Sequence, residues 1–554
     1  MKRNCSMLLT VIIFMLLQAC SPARDRFTLT IAHINDTHSH LETTPATLQL
    51  NGTRTVAGLG GMARLKTAVD ELRSRKPETL LLHAGDAVQG TLYFNLFNGK
   101  PEFELLNMLG VDAMTFGNHE FDRGPAMIPS FLTTARFPIL SANIDFSGEP
   151  VIAPHVRPFM IRDVAGEKVG IIGVTTESTP ISTSSVGRTR FNDSKAAVEK
   201  AVAILQQQGV NKIIVLSHLG YAEDIKLAAQ VAGVDAVVGG HSHTLLGDGE
   251  TLGRLGLKAD GAYPAVVSQA GGGKALVVQA WKWGYVLGEL EVTFNASGEV
   301  DSFSGRPHLV AGDVFSRNGI ELVRGSADYQ SAVKALQADG AARIYPQDVR
   351  VAAYLKPYTA RLACYRRQVL ARTEKDLMPD TPDGLGALVA ESMLAGVPAA
   401  RLALMNSGGI RKPLLAGDIS VGDVLEMLPF ANTLYIIDLD GAEIKASLEE
   451  GLEFLVRKFE GCSQLPLPHL AGARYTVNLT RPAGRRVLQV EIRDARGGWQ
   501  PLQPTEVYRL VVNSFIAGGG DGFATIKRAA RHREDSGIID ADAFAAYIKA
   551  RGTL

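Results

Sequence analysis

The sequence predicts an α/β domain followed by a second, mixed α+β domain, and three observations carry that reading. Short Val/Ile/Leu-rich runs recur from Phe27 to about Phe294 with helical stretches between them. Such continuous apolar runs suit strands buried on both faces beneath covering helices. Between about Ser326 and Gln368 the character changes to Ala-, Lys- and Arg-rich helical sequence, as expected of a connecting helix. New strand and helix signals then run from about 370 to 550. With 554 residues the chain is also too long for one core.

The first twenty residues precede the fold. Lys2 and Arg3 lead an apolar segment from Met7 to Leu17, too short to span a bilayer stably and the length of a signal-peptide core. It closes on Leu17-Gln18-Ala19-Cys20, followed by Ser21. This resembles a bacterial lipobox, with Cys20 acylated and anchoring the mature protein to a membrane; an ordinary secretory signal is the alternative. Both imply export, to the periplasm or, with the lipid, to the outer membrane or cell surface. No later segment is long and apolar enough to cross a membrane. Cys364 and Cys462 are the pair left for the mature domains and could bond in an oxidising compartment.

Charge excludes one class of partner. Lys plus Arg and Asp plus Glu both total 57. Formal neutrality argues against the broad basic surface that a nucleic-acid polymer would need. Small anionic substrates need only a few local groups.

The strands of the first domain are expected, in order, at "TLTIAHIND", "TLLLHAGD", "AMTFGNHEFD", "KVGIIGV", "KIIVLSHLG", "DAVVGGHSH" and "PAVVSQAG". Five of the first six end in Asp, His or Asn. Ligands of α/β folds collect just beyond strand ends, so these residues are expected to converge. Asp36 and His38 are two apart, and period-2 alternation would point both to one side of an extended segment. Asp86 ends the second run, Asn118 and His119 follow the third, His218 ends the fifth, and His241 and His243 close the sixth. The glycines before His241 are expected to permit a tight turn.

Nitrogen and oxygen donors without thiolates suit Zn, Mn, Co or Fe and exclude an iron–sulfur cluster. Two Asp, one Asn and up to four His are too many for one tetrahedral ion. They suit two divalent ions bridged by a carboxylate. A single strand-end histidine is more often structural, and His33, His40, His83 and His155 are read so, with His40 the one best placed to support a ligand.

"NDTHSH", "GD", "GNHEFD", "SHLG" and "GGHSH" resemble, in order and approximate spacing, the motifs of the calcineurin-like metallophosphoesterases. "MNSGGIR" and "NSFIAGGGDGF" resemble the nucleotide-binding motifs of that family's two-domain 5′-nucleotidase branch. The resemblance implies a four-layer αββα metallophosphoesterase domain over 27–325. A linker over 326–369 and a C-terminal α+β 5′-nucleotidase domain over 370–550 would follow. It implies that Asp36, His38 and His243 hold one metal and Asn118, His218 and His241 the other, with Asp86 bridging. Close 5′-nucleotidases often carry Gln or Asn where His243 stands.

The resemblance also assigns roles within "GNHEFD". Asn118 would ligate, while His119 faces substrate and Asp122, three residues on, orients and charges its imidazole. By the same resemblance Asn406 and Arg411 contact phosphate, Phe430 and Phe515 sandwich a base, and Asp521 accepts from ribose hydroxyls. Taken singly, both Phe residues would be read as core. Where related enzymes place further phosphate-binding arginines, this chain has "ARTEKDLMPDTPDGLGALV", with Pro379 near one expected arginine and Arg372 or Lys375 as substitutes.

The expected activity is hydrolysis of nucleoside 5′-monophosphates by in-line attack of a metal-activated water, with a hinge near the connecting helix. The alternatives are NAD or UDP-sugar pyrophosphatase, 2′,3′-cyclic phosphodiesterase with 3′-nucleotidase activity, thiosulfate-ester hydrolysis, and a non-catalytic surface lipoprotein.

Overall fold

The computed structural model describes residues 26–554 apart from 184–185, 271, 380–383, 431, 459–464 and 495. The signal segment, the lipobox cysteine Cys20 and Cys462 lie outside the described residues; Cys364 is exposed. No helix among the described residues is long and apolar enough to cross a membrane.

All seven apolar runs of the first domain contain strands, and these strands divide between two sheets. One is ten-stranded. At one end of it Arg26–Ile34, Leu80–His83, Ala113–Thr115 and Ile139–Leu140 lie side by side in parallel. The other is six-stranded, with Glu167–Thr175, Ile213–His218, Ala236–Gly239 and Lys274–Gln279 parallel. Ile31, Leu82, Ala113, Ile171, Leu216, Val238 and Val278 meet between the two sheets. Burying a side chain of the Leu or Ile class contributes about 1.5–3 kcal/mol, so this face-to-face contact is a main source of cohesion.

Helices cover the outer faces. Met62–Arg75 buries Met62, Leu65, Ala68, Val69 and Leu72, an apolar stripe at helical spacing, against the ten-stranded sheet. Ser194–Gln207 starts where the Asp193 carboxylate accepts from Ala196 N–H at 2.7 Å, and buries Val198, Ala201, Val202 and Leu205 against the other sheet. The result is the four-layer αββα arrangement.

The stretch expected as linker begins inside this unit. Helix Ala327–Gln337 packs on it, and Ala342–Ile344 pairs with the long strand Val300–Arg317. The helix Val349–Tyr365 follows, capped by Asp348.

The second domain is built on a five-stranded mixed sheet ordered His469–Ala471, Leu402–Met405, Val507–Asn513, Thr433–Asp440, Arg533–Ile539. Leu385–Gly396 and Asp540–Arg551 cover one face and Gly441–Lys458 the other. Its last strand, Arg533–Ile539, lies against the first domain.

Candidate active site

Both sheets aim the C-terminal ends of their parallel strands at one place, and the seven expected metal donors meet there. Asp36, His38 and His243 form one group whose ligand atoms lie within 4.8 Å of one another; Asp86, His218 and His241 form another. His38 Nε2 and His243 Nε2 are 2.9 Å apart. The Asn118 side-chain oxygen lies 3.2 Å from His218 Nε2 and 3.0 Å from His241 Nδ1. Asp86 Oδ2 stands between the groups, 2.9 Å from His218 Nε2 and 3.8 Å from His38 Nε2.

The local backbone differs from the expected alternation. The first strand ends at Ile34, and Asp36, His38 and Ser39 have φ of 50°, 47° and 55°. A left-handed turn, not an extended segment, brings Asp36 and His38 together. Asp86, His241 and His243 are left-handed too, at 56°, 73° and 51°. Non-glycine residues seldom adopt this region, and such strain gathers at functional sites. Gly240 also has a different reason from the one expected. Its φ is not positive; a Cβ there would lie 2.5 Å from the Ala84 carbonyl oxygen and 2.9 Å from His218 Nδ1. Close approach, rather than turn geometry, demands the glycine.

Supporting hydrogen bonds set the ring orientations. His218 Nδ1 donates to the Ala84 carbonyl at 2.7 Å and His38 Nδ1 to the Gln89 carbonyl at 3.1 Å, which leaves each Nε2 facing the cluster. His40 Nδ1 donates to the His38 carbonyl at 2.9 Å and stacks on Trp283, the supporting place expected of it. His33 and His83 meet Tyr263 and Thr37, and His155 is exposed.

Sequence reasoning missed two supporting residues. Asn35 donates to Asp36 Oδ2 at 2.6 Å while its oxygen accepts from Ala280 N–H. Glu120, inside "GNHEFD", accepts from the backbone N–H groups of Asp86, Ala87 and Gly117 at 3.1, 2.8 and 2.6 Å. Its carboxylate ties two donor-bearing loops together, and the only sequence signal was an acidic residue in an otherwise buried turn.

The electrostatics fit a cation. Burial pushes the Asp36 carboxyl up to about 8, only partly offset by His218. Burial also opposes charge on His218, yet Asp86 beside it raises the imidazole to about 9. The Asn118 amide nitrogen is buried without a hydrogen bond while its oxygen points at the histidines. Oxygen and imidazole donors, no thiolate, and an under-compensated buried carboxylate are what a divalent ion would complete.

His119 stands beside this cluster. Its Nδ1 donates to Asp122 Oδ2 at 2.7 Å, and its backbone N–H donates to Asp86 Oδ1 at 3.0 Å. Burial works against a charged ring, but the carboxylates of Asp122 and Asp86 outweigh it and hold the imidazole well above its usual value.

The five residues of the second domain form their own cluster. Asn406 donates to Asp521 Oδ2 at 2.8 Å and accepts from Asn513 at 2.9 Å. The Arg411 guanidinium lies 5.7 Å from the Phe430 ring centre, and the Phe515 ring rests on Gly520. Phe430 and Phe515 are 52% and 47% exposed, unlike core aromatics. None of these contacts reaches the His/Asp cluster. Arg372 is exposed and pairs with Asp418 at 3.5 Å, and Lys375 is exposed.

Comparison with known proteins agrees with this architecture. Residues 29–245 match the calcineurin-like phosphoesterase family and residues 366–528 the 5′-nucleotidase C-terminal domain. The chain is 35% identical to a "Probable 5′-nucleotidase" of Treponema pallidum, over 95% of this chain and 92% of that one. It is 30% identical to the NAD 5′-nucleotidase of Haemophilus influenzae, over 94% and 90%. The solved structure of the Haemophilus influenzae NAD nucleotidase superposes with a TM-score of 0.84 at 29% identity, covering 96% of this chain and 98% of that one. The family implies divalent metal ions, which the clustered His and Asp side chains could hold. The chain therefore belongs to the 5′-nucleotidase family of metal-dependent hydrolases, with a calcineurin-like phosphoesterase domain followed by a 5′-nucleotidase C-terminal domain.

Proposed function

We propose that the protein hydrolyses nucleoside 5′-monophosphates to nucleoside and phosphate. The observation that carries this reading is the seven-donor His/Asp/Asn cluster together with two exposed aromatic rings, Phe430 and Phe515, on the second domain. Asp36, His38 and His243 would hold one divalent ion and Asn118, His218 and His241 a second, with Asp86 between them. Zn, Mn or Co would suit these donors. Bound there, the ions would supply an activated water and neutralise phosphoryl charge.

The remaining work falls to this chain's own groups. His119, kept protonated by Asp122, donates to a phosphoryl oxygen as charge builds on it. Attack comes in line with the departing nucleoside oxygen. Phe430 and Phe515 stack on the base, Asp521 accepts from the ribose hydroxyls, and Asn406 and Arg411 contact phosphate. Because these groups lie on different domains, turnover requires the second domain to turn about the connecting helix. A covalent crosslink between the domains that left turnover unaffected would contradict that requirement. The leader, with Lys2, Arg3, its apolar segment and Cys20, supports export and a lipid anchor.

A second reading, pyrophosphate cleavage of NAD, is favoured by one observation, the full-length likeness to the Haemophilus influenzae NAD nucleotidase. The test is a substrate panel of AMP, NAD, UDP-glucose and 2′,3′-cyclic AMP with product identification. Adenosine from AMP supports the first reading. AMP and nicotinamide mononucleotide from NAD establish the second activity as well. Turnover of the cyclic diester alone would overturn both.

A further inference from the structure

The histidines that turn Nε2 to the donor cluster are not all held alike. His218 and His38 each donate Nδ1 to a backbone carbonyl of the first domain, Ala84 and Gln89, at 2.7 and 3.1 Å. His243 Nδ1 makes no such bond among the described residues. Its Nε2 faces the cluster, 2.9 Å from His38 Nε2 and 3.6 Å from Asp36 Oδ1. Its Nδ1 is turned away, and 3.6 Å from it lies Oδ2 of Asp535, on the last strand of the second domain. That is longer than a hydrogen bond and within ion-pair distance. Both side chains are 7% exposed, so solvent ions screen the pair little.

The carboxylate is held in place by its own domain. Thr433 Oγ1 donates to Asp535 Oδ2 at 2.7 Å and Gly537 N–H donates to Oδ1 at 2.9 Å. The same segment is packed onto the site, not merely near it: a Cβ on Gly537 would fall 2.5 Å from His119 Nε2. Ligation through Nε2 leaves the proton of a neutral imidazole on Nδ1, the side where Asp535 stands. What a backbone carbonyl does for His218 and His38, a carboxylate from the other domain is placed to do for His243.

We propose that Asp535 is a positioning residue for His243, contributed by the second domain, which fixes the ring's tautomer and raises its basicity as a metal donor in this domain arrangement. The inference rests on the metal-centre part of the reading above and deepens it. A turn of the second domain that carries Asp535 away removes this support. Metal affinity and domain arrangement are therefore linked, each biasing the other by the same factor.

The test is a double-mutant cycle on the full-length, metal-stripped protein, with Mn or Zn binding read by titration calorimetry in the absence of any ester. Asp535→Asn is expected to weaken one of the two ions about tenfold and to leave the other unchanged. In a His243→Gln background, which keeps an oxygen donor but removes the ring nitrogen, the same change is expected to do nothing. Spin labels at the exposed positions 226 and 412, in a C364S/C462S background, report the domains. Metal loading is expected to narrow their distance distribution when Asp535 is present and not in Asp535→Asn. Unchanged metal affinity in Asp535→Asn overturns the proposal, as does an equal loss in the His243→Gln background or a metal effect on the distances that survives Asp535→Asn. A metal affinity that His243→Gln leaves unchanged overturns it too, since His243 then holds no ion. No arm uses turnover, so a protein inactive on every ester would refute the proposed reaction while these measurements still decide the inference.

Discussion

His119 Nδ1 donates to the Asp122 carboxylate at 2.7 Å while its Nε2 faces the second domain. The carboxylate fixes the tautomer and holds the imidazole charged, after overcoming the burial that opposes it. His119→Ala is expected to lower kcat/KM for AMP by roughly 10²–10⁴-fold with metal content unchanged. Asp122→Asn is expected to cost about 10–100-fold. Because Asp122 raises the pKa of His119, its loss must move the basic limb of the kcat/KM profile to lower pH. A basic limb that stays in place would sink this role for the pair.

The Glu120 carboxylate satisfies backbone N–H groups of Asp86, Ala87 and Gly117. Glu120→Ala leaves these buried donors without a partner, at roughly 1–3 kcal/mol each. Chemical denaturation should show that loss, and equilibrium dialysis should show weaker metal binding, since the loops carrying Asp86 and Asn118 lose their tie. Wild-type values in both experiments would make the carboxylate incidental.

Removing the platform should separate binding from chemistry. Phe430→Ala and Phe515→Ala are each expected to raise KM for AMP about tenfold or more, given about 1–3 kcal/mol per stacked base. Hydrolysis of 4-nitrophenyl phosphate, which has no nucleobase, should be little changed. Equal losses on both substrates would assign these rings to structure instead.

Burial pushes His33 and His83 down to about 3. An unfolded chain protonates them near 6.5, so between those values it binds more protons than the native state. Stability should therefore fall as pH drops through 6.5 and keep falling toward about 3. His33→Gln should flatten that dependence in thermal unfolding followed from pH 7.5 to 4.5. An unaltered slope would mean that other groups set the acid sensitivity.

The strands of the first domain were legible because they are buried on both faces and read as unbroken apolar runs; their division between two sheets was implied only by the family resemblance. The donor set was legible because polar residues punctuate those runs at their ends. What brings the donors together was not: the left-handed turn at Asp36 and His38 has no signature in residue alternation. The part played by Glu120 depends on amides from a loop more than thirty residues away in sequence. Phe430 and Phe515 read singly as core, and only their motifs pointed outward, where the structure places them. Asp535 and Gly537 stand against the cluster through domain packing, which no local pattern encodes.

The most direct measurement is adenosine and phosphate release from AMP by the mature protein, first stripped of metal and then supplied with Mn, Zn or Co. The expected result is no release from the stripped protein and stoichiometric adenosine and phosphate once a divalent ion is restored, lost again in His218→Ala. Release that survives complete metal removal, or silence with every metal, would contradict a metal-dependent 5′-nucleotidase centred on these seven donors.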